Sequence, residues 1–289
     1  MASPFLYSIA VAALLSCEVS AGEKKIVLIA GKPSHGAGEH EFHAGCLLLQ
    51  KCLKDVPGIT VDVCDLGWPK DGSALAGAAA VVVYADGGPG HPCFQEDHRQ
   101  IIQNLARQGA GLGFMHYGVE VVKGEPGQTM WDWIGGYYED HYSCNPMWSP
   151  DYQKFPTHPI CRGVQPFSVK DEWYFNMRFS PEAMRRVNIL VAKPSDAVRD
   201  GPYVWPAGPY AHIQANKGRD ETMMWAFERP DGGRGFGWTG GHYHKNWAND
   251  NYRKVVLNAI LWIAKVEVPP GGVTSTVTPA DLTANLDKK

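Results

Sequence analysis

Residues 111–120 read GLGFMHYGVE, an apolar run that stops at His116. Glycine-punctuated runs of this kind are typical of α/β proteins, in which a strand ends in a sharp turn that presents a reactive side chain. The turn pattern is Gly-x-nucleophile-x-Gly; Gly118 fits its second glycine, and Phe114 stands where the first belongs. The stretch therefore predicts a strand over 110–116 with His116 at its end.

Apolar runs and amphipathic segments alternate on both sides of this strand. The further predicted strands cover 25–31, 59–66, 79–86, 188–192, 222–228 and 235–239, and the predicted helices cover 39–54, 91–108 and 249–265. A continuous apolar strand such as KIVLIAG at 25–31 is typical of a sheet covered on both faces. The order predicts an α/β fold with an open, mostly parallel sheet and helices on both faces.

A long irregular segment, residues 119–186, interrupts the alternation and is dense in Trp, Tyr, Pro and His. Such a segment is too aromatic to be disordered, and we expect an insertion that covers a functional site. The chain shows no internal repeat and no second core. We therefore predict one domain over residues 23–268, followed by a surface tail over 269–289.

Residues 1–22 resemble an export signal. The apolar stretch Ile9–Leu15 is too short to span a bilayer, and a small-residue cleavage site, Val-Ser-Ala, follows at 19–21. Cys17 also fits a lipoprotein signal, whereas the lack of Lys or Arg before the apolar run argues against both and leaves a disordered cytosolic leader as the competing interpretation. We expect an exported protein, periplasmic or extracellular, lipid-anchored if Cys17 is modified, and without a transmembrane segment after signal removal.

Composition excludes several classes of protein. The net charge is −3 over 289 residues, so a nucleic-acid or anionic-membrane partner is disfavoured. Six cysteines besides Cys17 form no CxxC pair, which excludes a zinc ribbon or a thioredoxin motif. They are either paired or small buried hydrophobes. The composition is compatible with a homo-oligomer.

Histidines gather where the predicted strands end. In open parallel sheets ligands bind beyond the carboxyl ends of the strands. Eight of the eleven histidines lie beside those ends or in the insertion, which points to proton transfer, metal binding or sugar binding. We expect His116 and His242 to transfer protons and Glu120 to orient His116. The competing interpretation makes His116 a hydrogen-bonded structural residue.

His242 and His244 form an HxH pair. In extended backbone both imidazoles lie on one face, so that His116, His242 and His244 could hold a divalent metal such as zinc with one position open for water. Packing against Tyr243 and Trp247 is the alternative. The absence of a carboxylate or cysteine at ligand spacing argues against a metal.

His40 and His43 share a helix face, but HEFH is one residue too short for the HExxH zinc motif. We expect both to cap the helix start and to line the pocket.

Two further stretches suggest a sugar site. DEWYF at 171–175 sets two carboxylates beside flat aromatic rings, as a pyranose requires, although a solvated turn would look alike. DGGPGH at 86–91 permits close approach of the backbone to a ligand, but it lacks a P-loop lysine and dinucleotide spacing. The predicted substrate-binding residues are Asp86, His91, Tyr117, Asp171, Glu172, Trp173, Tyr174, His40 and His43.

Five segments together resemble the ThuA-like, or trehalose-utilisation, family. They are KIVLIAGKPSHGAGEHEFHAG, YADGGPGHP, GFMHYGVE, DEWYF and RGFGWTGGHYHKNWANDNYRKVVLNAILWIA, and the likeness extends from about residue 25 to 268. The resemblance implies a flavodoxin-like fold similar to class I glutamine amidotransferases. It also implies a small carbohydrate as ligand, in keeping with the export signal.

Those amidotransferases use a cysteine nucleophile where this chain has His116, and their later histidine matches His242. Imidazole cannot form the thioester that glutamine hydrolysis needs, so amidotransferase activity is excluded. We expect an enzyme, a hydrolase or a lyase or isomerase, that acts on a sugar or keto-sugar glycoside by His and carboxylate acid–base chemistry. The alternatives are a non-catalytic carbohydrate-binding protein and a metal-dependent hydrolase with a His-rich site.

Overall fold

The computed structural model describes residues 22–289. The export signal predicted over residues 1–22, with Cys17, lies outside the described residues except for Gly22. Within 22–289, no helix combines the length and the apolar character needed to cross a membrane.

Helices and strands alternate through the first half of the chain, as the sequence predicts. The helices are α1 (Phe42–Leu53), α2 (His98–Arg107), α3 (Glu125–Ile134), α4 (Asp196–Asp200), α5 (Ala211–Gln214), α6 (Asp250–Ile263) and α7 (Pro279–Thr283). The strands are β1 (Lys24–Ala30), β2 (Ile59–Cys64), β3 (Ala80–Tyr84), β4 (Gly111–Met115), β5 (Gly136–Tyr137), β6 (Met147–Trp148), β7 (Asp151–Tyr152), β8 (Phe167–Ser168), β9 (Asp171–Glu172), β10 (Arg178–Phe179), β11 (Arg186–Ala192), β12 (Glu221–Glu228) and β13 (Arg234–Trp238).

Seven strands form the central sheet, in the order β11-β12-β13-β4-β3-β1-β2. The five strands from β13 to β2 are parallel, and β12 runs antiparallel to both of its neighbours. The predicted open, mostly parallel sheet is therefore confirmed. Because parallel strands end at one edge, the loops after β1, β3, β4 and β13 share one side of the molecule.

Alternate side chains of the central strands enter two cores. In β1, Ile26 and Leu28 pack with residues of α1 and α6, whereas Val27 and Ile29 pack with residues of α2 and α3. Helices thus cover both faces, which explains why these strands read as continuous apolar runs. At the start of α6 the Asn249 side chain accepts hydrogen bonds from two backbone N–H groups, the cap that the sequence predicts.

The insertion over 119–186 contains α3 and three short strand pairs, β5–β10, β6–β9 and β7–β8. The tail after residue 268 carries α7 and buries Val273, and it ends with Lys289 3.4 Å from the buried carboxylate of Glu41. All six cysteines in 22–289 are unpaired, and four of them are buried, namely Cys46, Cys52, Cys93 and Cys144. They pack as small hydrophobes.

Candidate functional site

Four side chains converge beyond the carboxyl ends of the parallel strands. His116 follows β4 directly, His242 follows β13, His40 lies in the loop after β1, and Glu172 belongs to β9 of the insertion. All four are buried, and one potential ligand atom from each lies within 4.8 Å of the others. We call this group, His40, His116, His242 and Glu172, the histidine cluster.

His116 occupies the sharp turn that the sequence predicts. Its φ of 53° lies in the left-handed region that non-glycine residues rarely adopt. Its Nδ1 lies 3.0 Å from the carbonyl oxygen of Thr239, a pure acceptor, so that Nδ1 carries the proton. In neutral His116 the Nε2 lone pair then points into the cluster, where the Tyr174 hydroxyl lies 3.2 Å away.

His40 is held in the same manner from the opposite side. Its Nδ1 lies 3.0 Å from Asp86 Oδ1, and its Nε2 lies 3.0 Å from His116 Nε2 and 3.1 Å from His242 Nδ1. Burial lowers the pKa of His40 far below its usual range, helped by the neighbouring imidazoles. Neutral His40 thus donates to Asp86 and directs a second lone pair at His116.

Glu172 supplies the negative charge of the cluster. Its Oε2 lies 2.9 Å from His242 Nδ1 and 3.4 Å from His116 Nε2, and its Oε1 accepts a hydrogen bond from Asn145. Burial alone would raise the pKa of Glu172, but the neighbouring imidazoles of His116 and His242 outweigh it and hold the pKa at about 2. Burial likewise opposes protonation of His242, but Glu172 outweighs it and raises the pKa of His242.

The geometry of the cluster suits a divalent metal ion. Ligands at about 2.0–2.1 Å from a tetrahedral ion lie roughly 3.3 Å apart, and the close inner pairs here are 2.9 to 3.4 Å apart. The outer nitrogen of each imidazole faces an acceptor, namely Asp86, the Thr239 carbonyl or Glu39. Metal-binding histidines commonly have such outer partners, which fix the tautomer and the ring orientation.

His244, which the sequence suggested as a metal ligand, does not join the cluster. The strand ends at Trp238, and His244 begins a 3-10 helix over 244–248, so the HxH pair is not in extended backbone. Burial lowers the pKa of His244 to about 4, and neither ring nitrogen has a hydrogen-bond partner within the described residues. His40 and Glu172, and not His244, lie beside His116 and His242.

Glu120 does not orient His116, because the Thr239 carbonyl and Tyr174 contact that ring instead. The side chain lines a cavity of about 510 Å³ together with Asp140. Burial raises the pKa of Glu120 to about 8, with further increases from the charges of Asp140 and Glu172. Glu120 is therefore a protonated carboxylic acid near neutral pH.

Two predicted substrate-binding histidines lie apart from the cluster. His91 is fully buried, accepts a hydrogen bond from the Cys93 N–H and lies 2.9 Å from the Gly118 carbonyl, so it supports the turn after β4. His43 lies on α1, 3.2 Å from Asp65, and no side chain caps that helix. His91 therefore has a structural role in place of the predicted substrate contact, and His43 does not cap α1 as predicted.

Asp86 and Tyr117 lie on the accessible side of the cluster, near His40. The Tyr117 ring centroid lies 6.1 Å from that of His40, and the Asp86 side chain is 37% exposed. His35, one of the eight histidines near the strand ends but assigned no role from the sequence, stacks on His40 with ring centroids 3.6 Å apart. Glu39 and Asn145 were missed as well: Glu39 lies in one of the five family-like segments but was assigned no role, and Asn145 lies outside all five.

Asp171 binds protein rather than sugar. It is fully buried and accepts hydrogen bonds from the backbone N–H of Gly241 and Tyr243 and from the Tyr252 hydroxyl. The carboxylate thus fixes the loop that carries His242, and it is a positioning residue.

Trp173 does not offer a face for a sugar ring. It is fully buried, with ring centroids 6.0 Å from Trp238 and 5.7 Å from Tyr252. We expect Trp173→Ala to lower the free energy of unfolding by about 3–5 kcal/mol, because it leaves a large cavity in the core. Urea denaturation measures this, and a variant as stable as the wild type would show that the ring is not part of the core.

A protein-family model described as "ThuA: Trehalose utilisation" matches residues 26–263. The chain belongs to the ThuA family. The resemblance predicted from the five sequence segments is thereby confirmed.

Solved structures of other ThuA-like proteins share this fold. One from Bacteroides uniformis ATCC 8492 has 14% identity and a TM-score of 0.58, and the match covers 89% of this chain and 95% of that one. One from Parabacteroides merdae ATCC 43184 has 16% identity and a TM-score of 0.55, with 89% and 94% covered. No curated protein matches the chain. At these identities the ThuA-like structures support the fold alone.

Proposed function

We propose that this ThuA-family protein is a divalent-metal-dependent enzyme that acts on a sugar or keto-sugar glycoside at the histidine cluster. The family's association with trehalose utilisation supports the carbohydrate. Export through the signal expected at residues 1–22 belongs to the same proposal.

The contact between His40 and His116 carries this proposal. Their Nε2 atoms are 3.0 Å apart, and the outer nitrogens of both rings face acceptors. Two neutral imidazoles held in this way direct lone pairs at each other, which is unfavourable unless a cation lies between them. A proton can serve only one such pair, whereas a metal ion also satisfies His242 and the anionic Glu172.

The two glutamates at the site suit different tasks. Glu172 is ionised with a pKa of about 2, and Glu120 is protonated up to a pKa of about 8. Carboxyl groups whose environments separate their pKa values in this way commonly divide into an anion and a proton donor. Glu172 would bind the ion, and Glu120 would donate a proton to the substrate. A bound divalent ion would supply polarisation of a substrate oxygen.

Metal analysis of the full chain, purified without chelators, tests the proposal. We expect about one divalent ion per chain in the wild type and less than about 0.1 in His40→Ala and His116→Ala, because each variant removes an inner ligand. His244→Ala is the matched control, since it removes a buried imidazole from the same region outside the cluster. It should keep the ion.

Two results would contradict a metal site. One is a wild type that binds no divalent ion even after incubation with excess Zn²⁺; the other is an equal loss of metal from His244→Ala and His40→Ala. A protein that binds metal and sugars but forms no product from oxidised or unoxidised disaccharides would be a carbohydrate-binding protein.

A further inference from the structure

A second cavity, of about 480 Å³, lies at the carboxyl ends of β1, β2 and β3. Lys32, Trp68, Asp86, Gln95 and His98 are among its lining residues, and we call it the Trp68 cavity. It is separate from the cavity that Glu120 lines, and neither the fold nor the proposed chemistry of the cluster accounts for it.

The position of the Trp68 cavity is the one at which open α/β sheets bind ligands. From β1 the chain crosses to β2 on one side and then returns to β3 and β4 on the other. The strand order therefore reverses between β1 and β3, and the crevice outside their carboxyl ends is a topological switch point. Gly31, Gly67 and Ala85, which follow β1, β2 and β3, all line the cavity.

Trp68 gives this cavity a fixed aromatic surface. Its indole stacks on the imidazole of His98, with centroids 3.8 Å apart and planes 7° from parallel. His98 is itself held by its Nδ1, 2.7 Å from the Pro92 carbonyl. Trp68 is nevertheless partly exposed. A preorganised indole at a cavity wall is a surface on which the C–H face of a pyranose can pack.

Polar groups around the indole suit hydroxyls better than phosphates. Asp86 and Glu96 offer carboxylate acceptors, and the exposed Lys32 offers a donor. The Gln95 amide is held by hydrogen bonds to the carbonyls of Pro89 and His91. The two carboxylates would repel a nucleotide phosphate, whereas a neutral sugar can pair with donors and acceptors alike.

Asp86 connects the Trp68 cavity to the histidine cluster. Its Oδ1 accepts from His40, and the same partly exposed side chain lines the cavity. A ligand that contacts Asp86 from the cavity therefore lies one side chain away from His40.

We propose that the Trp68 cavity is a second sugar subsite, in which Trp68 carries the pyranose ring adjacent to the ring that reacts at the histidine cluster. The substrate is then a disaccharide or longer glycoside. This inference rests on the proposed function for the identity of the reacting ring, whereas sugar binding at Trp68 can be measured without it.

The test is isothermal titration of the full chain with trehalose, maltose, cellobiose and glucose. We expect at least one disaccharide to bind the wild type, to bind Trp68→Ala roughly fivefold to tenfold more weakly, and to bind Trp68→Phe with intermediate affinity. Trp205→Ala is the matched control, since Trp205 is 75% exposed and lies outside the cavity, and it should bind as the wild type does. Glucose affinity should change less than that of the disaccharide.

A double variant, His116→Ala with Trp68→Ala, separates the two proposals. It should bind the disaccharide more weakly than His116→Ala alone, because the Trp68 subsite does not need an intact cluster. If the wild type proves metal-free but Trp68 still governs disaccharide affinity, the metal proposal fails and the subsite stands. Equal affinities for wild type and Trp68→Ala, or no binding of any disaccharide, would overturn the subsite. Trp68-dependent binding of AMP in place of sugars would do so too. Melting temperatures of all variants establish that each is folded.

Discussion

Replacement of Glu172 with glutamine should lower turnover of the sugar substrate by about 10³-fold or more. Glu172 is the only carboxylate in the cluster, and its Oε2 contacts both His116 and His242. The amide keeps the shape of the side chain but removes the charge that balances a divalent ion. Metal content, measured on the same sample, should fall with activity.

Glu221→Gln is the control for this experiment. Glu221 is also buried, and it pairs with Arg199 at 2.8 Å and with Arg219 at 2.9 Å, outside the cluster. Its replacement should reduce the melting temperature, because it weakens a buried ion pair, while leaving the metal in place. Full activity of Glu172→Gln, or metal loss from Glu221→Gln alone, would refute the role given to Glu172.

The sequence predicts the positions of His116 and His242 because the ends of the apolar strands can be recognised in it. His116 and His242 each follow an apolar run that ends at the same edge of a parallel sheet, so their proximity follows from topology. The positive φ of His116 agrees with the turn pattern at Gly118. These two positions needed no knowledge of side-chain contacts.

The rest of the cluster depends on long-range packing that spacing does not encode. His40 lies ten residues beyond β1 in a loop without periodicity, and it reaches His242, 202 positions away, by its own left-handed backbone and a hydrogen bond. Glu172 lies in β9, which pairs with β6 within the insertion, and Asn145 holds its carboxylate. Neither pairing leaves a periodic signal in the sequence.

Two errors have specific physical causes. The same-face rule for His242 and His244 holds in a strand, but the chain leaves β13 at Trp238 and then turns into a 3-10 helix. Trp173 was expected to stack on sugar because its neighbours are carboxylates, yet the ring packs into the core. Aromatic residues serve both purposes, and sequence alone does not distinguish them.

Glu120→Gln should reduce turnover by about 10²–10⁴-fold, because the amide cannot donate the proton that we assign to Glu120. In the wild type this proton is lost as the pH rises through the pKa of about 8, so activity should fall along an alkaline limb. Asp140→Asn removes a charge that raises this pKa, and it should move the limb to lower pH. If the alkaline fall in activity stays at the same pH in Asp140→Asn, or persists in Glu120→Gln, it arises from the ionisation of another group.

Unfolding experiments test the same carboxyl independently of any substrate. Burial raises the pKa of Glu120 in the folded state from 4.5 to about 8, so the folded chain binds this proton more tightly than the unfolded chain does. The associated stability is present in full below pH 4.5 and is lost as the pH rises towards 8. Glutamine does not ionise, so the free energy of unfolding of Glu120→Gln, relative to the wild type, should be about 4–5 kcal/mol higher at pH 9 than at pH 4. Urea denaturation at both pH values measures this difference. If the two proteins differ in free energy of unfolding by the same amount at pH 4 and pH 9, the Glu120 carboxyl ionises as freely in the folded protein as in the unfolded chain.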